Sequence, residues 1–151
     1  MIEKTDKLRE VLQTHGLRYS RPRAIILELF GERDMHVSAE HLYLELKQRG
    51  ENLSLSTVYL NLGVLKNAGL VREFSGLAGE ALYDTNVGPH HHLICTTCGA
   101  IVDLPELSIE GERLPSYVQR YAEAASGWRV REPSLALQGL CPGCRMKKPD
   151  A

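Results

Sequence analysis

The chain has 151 residues, which suits one mid-sized domain or two small ones. With 43% hydrophobic and 25% charged residues it is not a disordered chain, and no apolar run approaches the roughly 18 residues needed to span a bilayer. The net charge of −1, split as +1 over residues 1–75 and −2 over 76–151, excludes a globally basic nucleic-acid binder. Any DNA contact must therefore use local patches. The opening Met1-Ile2-Glu3-Lys4-Thr5-Asp6-Lys7 is polar and lacks an apolar signal core, which places the protein in the cytoplasm with no membrane partner.

Leu8, Val11 and Leu12 recur at helical spacing over residues 4–15, with Gly16 just beyond. Ser20-Arg21-Pro22 opens a second helix whose buried face is Ile25, Ile26, Leu29 and Phe30, and Gly31 ends it. Ser38 caps a third helix, 39–49, with Val37 and Leu42 placed as a hydrophobic staple. Ser54 caps a fourth, 55–68, with Val58, Leu62 and Leu65 on one face. Residues 70–74, 75–79 and 80–84 then read as strand, turn and strand. Helices followed by a β-hairpin describe a winged helix-turn-helix over residues 1–83.

The pattern changes over residues 84–151. A knuckle-like turn within 91–104 is flanked by β-rich segments. Residues 106–125 are predicted helical, with Pro115 breaking or restarting the helix. Residues 128–140 alternate loosely and end in Cys-Pro-Gly-Cys. The whole chain is thus predicted to be α+β, with a small α/β module at its C-terminal end.

The cysteines come as Cys95-Thr96-Thr97-Cys98 and Cys141-Pro142-Gly143-Cys144. Two intervening residues let both thiolates of a pair reach one tetrahedral ion, so the four are expected to hold structural zinc. A redox CxxC is expected once, beside a βαβ pattern, and none is present.

His90-His91-His92 precedes Cys95, with Asp84 before it, Asp103 after it and His36 far upstream. In a strand His90 and His92 point one way and His91 the other. Two imidazoles and two carboxylates make a mixed N/O set suited to Fe(II), Mn(II) or Zn(II). A histidine run also fits a solvated strand end. Arg18, Tyr19, Arg21 and Arg23 form a local basic cluster that fits backbone phosphates or simply a solvated helix start. A metalloenzyme would need an open metal position and a nearby general base, and no helical HExxH element occurs. A zinc-ribbon module binding RNA or protein would explain the knuckles but not the N-terminal helices.

Several segments together resemble the ferric uptake regulator family. They are Gly16-Leu17-Arg18, Pro22-Arg23, His36-Val37-Ser38-Ala39-Glu40, Ser56-Thr57-Val58-Tyr59-Leu60-Asn61-Leu62, Ala68-Gly69-Leu70-Val71, His90 through Gly99, and Gly139 through Cys144. The resemblance implies a winged-helix DNA-binding domain, a hinge and a C-terminal dimerisation domain. It implies a homodimer on a palindromic double-stranded DNA operator. It assigns structural zinc to Cys95, Cys98, Cys141 and Cys144, and a regulatory Fe(2+) or Mn(2+) to His36, Asp84, His90, His92 and Asp103. It assigns DNA contacts to Ser56, Thr57, Tyr59 and Asn61 on the fourth helix, with Arg18, Tyr19, Arg21 and Arg23 on phosphates.

Aspartate at both carboxylate positions, with no spare cysteine, looks most like the peroxide-responsive branch, where Fe(II) leads to oxidation of His36 or His90. A plain iron, manganese or zinc uptake regulator is the alternative. The family's third metal site would take His91 and Glu110, while Pro89 and Pro133 stand where histidines often occur. The residue after Tyr59 is often arginine in the family; here it is Leu60, expected to be exposed.

Overall fold

Three serines start three helices. In the computed structural model, which describes residues 2–32, 36–131 and 133–147, the side chains of Ser20, Ser38 and Ser54 accept the backbone N–H groups of Arg23, His41 and Thr57. Each satisfies a donor that the first helical turn leaves orphaned. The helices are α1 (Ile2–Thr14), α2 (Arg21–Gly31), α3 (Ala39–Gln48) and α4 (Leu55–Asn67). Strands β1 (Arg72–Ser75) and β2 (Ala81–Asp84) follow as an antiparallel hairpin. Leu12, Ile26, Leu29, Leu42, Val58, Leu62 and Leu65 are fully buried in one cluster that α1–α4 share, and Val71 and Tyr83 seal it from the hairpin side. Burying each such side chain contributes about 1.5–3 kcal/mol. The result is the expected winged helix-turn-helix.

The chain divides into two compact units after Val87, not after residue 83. The reason is that β2 runs through Asp84, whose Cα partner is Arg72 in β1. Asp84 therefore belongs to the wing. An isolated bridge between Val37 and Tyr83, with reciprocal N–H···O bonds of 3.1 and 2.8 Å, ties the segment before α3 to β2.

The second unit, from Gly88 onward, is built on β3 (His90–Cys95) at the centre of a three-stranded sheet. Strand β4 (Ile101–Pro105) pairs antiparallel on one side. After β5 (Ser108–Ile109), β6 (Glu112–Arg113) and α5 (Leu114–Ser126), strand β7 (Ala136–Gly139) pairs parallel on the other side, and α6 (Pro142–Lys147) carries the second cysteine pair. The helix expected over 106–125 is corrected here: residues 108–113 form a hairpin, and the helix begins only at Leu114 with Pro115 in its first turn. At the hairpin tip Glu110 and Gly111 both have positive φ, +52° and +81°, the conformation that a tight two-residue turn demands. Pro115 lacks an N–H, which the first turn leaves unbonded anyway.

Candidate metal centres and nucleic-acid interface

The four cysteines converge within the second unit. β3 and β7 run parallel with Cys95 opposite Gly139, which brings Cys141 and Cys144 beside the first knuckle. One ligand atom from each of Cys95, Cys98, Cys141 and Cys144 lies within 4.8 Å of all the others. Cys98 Sγ and Cys141 Sγ are 3.8 Å apart. A tetrahedral zinc with Zn–S bonds of about 2.3 Å requires sulfurs about 3.8 Å apart. The cluster thus fits that ion in donor type, number and spacing.

The electrostatics agree with this fit. N–H groups of Cys141, Cys98 and Thr97 aimed at its sulfur lower the Cys95 thiol to about 6, while sharing protons with Cys141 and Cys98 and partial burial push Cys144 up to about 12. One thiolate is stabilised by the backbone, and four together need a cation.

A second group of histidine and carboxylate side chains sits at the other end of β3. His90 and His92 lie on one face of the strand, with His92 opposite Asp103 in β4. Their Nε2 atoms are 3.1 Å apart, and Asp103 Oδ1 lies 3.6 Å from each. His90 Nδ1–H donates to the Gly88 carbonyl at 2.8 Å. That bond fixes the tautomer and turns the Nε2 lone pair toward the cluster. Cis ligands about 2.1 Å from one ion lie about 3.0–3.4 Å apart; the two imidazole nitrogens fall within that range, and the Asp103 oxygen lies slightly outside it.

In the first unit, the Val37–Tyr83 bridge brings His36 beside Asp84, with Nε2 to Oδ2 at 3.4 Å. The His36 ring also meets Phe74 edge-on at 5.7 Å between centroids. Asp84 is buried, and its Oδ1 accepts the Asn86 N–H at 2.7 Å.

His91 faces away from this set, as alternation requires. Its Nδ1 accepts the Leu135 N–H at 3.3 Å, and its Nε2 is buried with no hydrogen-bond partner among the described residues. Glu110 sits exposed on the β5–β6 turn. Neither belongs to a cluster of three or more ligating side chains among the described residues.

On α4, Ser56 and Tyr59 are exposed and Thr57 is half-buried, its hydroxyl 2.8 Å from that of Ser54. The Tyr59 hydroxyl donates to Glu40 of α3. This bond lowers the Glu40 carboxyl below its usual range and raises the Tyr59 phenol. Asn61 is a correction. It is only 6% exposed, and its amide donates to the Thr57 carbonyl at 2.8 Å, so it belongs to the buried stripe and not to a base-reading face. Its position, three after Val58 and four before Leu65, carried that signal. Leu60 is exposed, as expected.

In the basic cluster Arg18 and Arg21 are exposed. Arg21 pairs with Glu51 at 2.7 Å, and Arg23 Nη1 donates to the Arg18 carbonyl at 2.8 Å. Tyr19 lies under the Arg9 guanidinium, 5.0 Å from its ring centroid. Arg23 and Tyr19 thus shape the turn that presents Arg18.

A winged helix combined with a tetrathiol cluster and a histidine–carboxylate set defines a class, the metal-binding winged-helix proteins. The model of the ferric uptake regulator family matches residues 14–128. The ferric uptake regulation protein of Escherichia coli strain K12 is 38% identical over 132 residues, covering 86% of this chain and 85% of its own. The peroxide operon regulator of Bacillus subtilis strain 168 is 31% identical over 139 residues, 92% of either chain. The crystal structure of the Vibrio cholerae ferric uptake regulator superposes with a TM-score of 0.66 at 30% identity, covering 88% of this chain and 98% of that one. The chain belongs to the ferric uptake regulator family, whose members are metal-responsive transcription regulators rather than enzymes.

Proposed function

We propose that this protein is a homodimeric, cytoplasmic repressor that binds a palindromic DNA operator when a regulatory ion is held jointly by His36, Asp84, His90, His92 and Asp103, and that it belongs to the peroxide-responsive branch. The observation that carries this reading is the trio of His90 Nε2, His92 Nε2 and Asp103 Oδ1, spaced 3.1 and 3.6 Å apart. His36 and Asp84 supply the complementary pair from the winged-helix unit. All four cysteines are taken by the tetrathiol cluster, which leaves the regulatory set free of sulfur and suited to Fe(II) or Mn(II). Fe(II) held there would supply reactivity toward peroxide, with oxygen from the peroxide ending on a histidine of the set, whereas Mn(II) would supply ligation alone. The Cys95, Cys98, Cys141 and Cys144 set holds zinc as a fold-stabilising ion.

Ligands drawn from both units let occupancy govern the angle between two DNA-reading helices in a dimer. Moving such an equilibrium from 1:99 to 99:1 takes about 5.5 kcal/mol of differential binding. Dimerisation is supported by the second unit's surface. Val102, Leu93 and Leu137 form a cross-strand row on the β4–β3–β7 sheet, and all three are exposed. Ser56, Thr57 and Tyr59 face the major groove, while Arg18 and Arg21 meet phosphates.

The likeness to the Escherichia coli protein favours a second reading, a plain iron, manganese or zinc uptake regulator. Gel shifts with Mn(II)-, Fe(II)- and Zn(II)-loaded protein, with and without peroxide, separate the two. The expected result is peroxide-triggered release of the Fe(II) form only, with added oxygen mass on His36 or His90. Unchanged binding of that form leaves the plain uptake regulator. Absence of any metal-dependent binding refutes both.

A further inference from the structure

Leu60 is 68% exposed, the most exposed large apolar side chain described in the first unit. It lies in mid-α4, not at a fraying end. At 3.6 residues per turn, Ser56, Leu60, Gly63 and Asn67 share the face opposite the buried Val58, Leu62 and Leu65. The described residues of this unit leave Leu60 uncovered.

Gly63 adds an independent observation. A helix-interior glycine destabilises the helix relative to alanine. Here a Cβ built on Gly63 meets no atom within 4 Å, and the backbone is helical, so the described residues of this unit do not require a glycine there. The small residues Ser56 and Gly63 flank the bulky Leu60 at helical spacing. Such a face suits close approach of an outside surface, with one apolar knob reaching furthest.

The occupant follows from the fold, because the exposed face of the second helix of a helix-turn-helix is the one that enters the major groove. Leucine has no hydrogen-bonding group, so it cannot read guanine or adenine edges. The one apolar feature on a base edge there is the thymine 5-methyl group. We propose that Leu60 is a specificity-determining residue that reads a thymine methyl in each operator half-site, with Gly63 providing the clearance. This rests on the regulator reading above and names what its α4 recognises.

The test uses a duplex selected from random DNA by the metal-loaded full-length protein. Each thymine is then replaced singly by deoxyuridine, which deletes the methyl and leaves the pairing edge intact. Binding is measured for the wild type and for Leu60→Ala. The expected result is one position per half-site where uracil weakens wild-type binding about fourfold, the equivalent of about 0.8 kcal/mol for one buried methyl. Leu60→Ala should bind the thymine and uracil duplexes equally well. The proposal is overturned if no uracil position affects the wild type, or if Leu60→Ala keeps the same uracil sensitivity. A wild type that selects no duplex at all sinks the regulator reading, and this one with it.

Discussion

Replacing Cys141 by serine should unfold the second unit while leaving the first folded. The described buried side chains are divided very unevenly. Leu12 through Tyr83 supply nearly the whole apolar core of the winged-helix unit, whereas Ile94, Cys95 and Pro115 are the main apolar burials in the second. Burial of a few such side chains contributes only several kcal/mol. A tetrathiol zinc contributes on the order of 10 kcal/mol, which matches the whole stability of a small domain, about 5–15 kcal/mol. Losing one thiolate also leaves three sulfurs crowded around a weakened site. Amide hydrogen exchange read by mass spectrometry checks this residue range by residue range. Segments 90–95, 101–105 and 136–139 should lose protection, and 21–31, 39–48 and 55–67 should keep it. Native-level protection over β3, β4 and β7 in Cys141→Ser, or in protein stripped by a strong zinc chelator, would refute the reasoning.

His90→Ala should lower Mn(II) affinity, measured by calorimetry or electron paramagnetic resonance, by at least the roughly 10–100-fold typical of losing even a ligand's outer support. Its helical content should be unchanged; equal affinity would remove His90 from the regulatory set. Leu93→Lys places a charge in the centre of the Val102–Leu93–Leu137 row and should convert a sedimenting dimer to monomers, whereas a persistent dimer would move the interface elsewhere. Gly63→Ala should raise thermal stability by about 0.5–1 kcal/mol, because the added methyl meets open space, and should weaken operator binding. A variant that binds as well as the wild type would show that nothing approaches Gly63 closely.

The N-terminal unit was largely legible because its signals are local. Ser20, Ser38 and Ser54 act as caps where the sequence placed them, and the stripes of Val58, Leu62 and Leu65 are buried as their spacing required. Asn61 lies on that same stripe, three residues after Val58, and its position predicts its burial better than its polarity does. The β5–β6 hairpin was missed because Glu110-Gly111 is a weaker turn signature than Asn-Gly, and Pro115 was compatible with a helix on either side of it. The parallel pairing of β3 with β7 was beyond local reading, since it joins residues more than forty positions apart. The CxxC spacing nonetheless announced the cluster that this pairing serves.

Strand β3 carries His90 and His92 at one end and Cys95 at the other. A six-residue strand is about 20 Å long, so the two groups of donors share one short rigid bar. The order of loading follows. On the proposed function, filling the sulfur end fixes the scaffold of the imidazole end, so a newly made chain would acquire its buttress first and its responsiveness second. A cell short of zinc would then produce chains indifferent to the regulatory ion, and scarcity of one element would be read as silence about another.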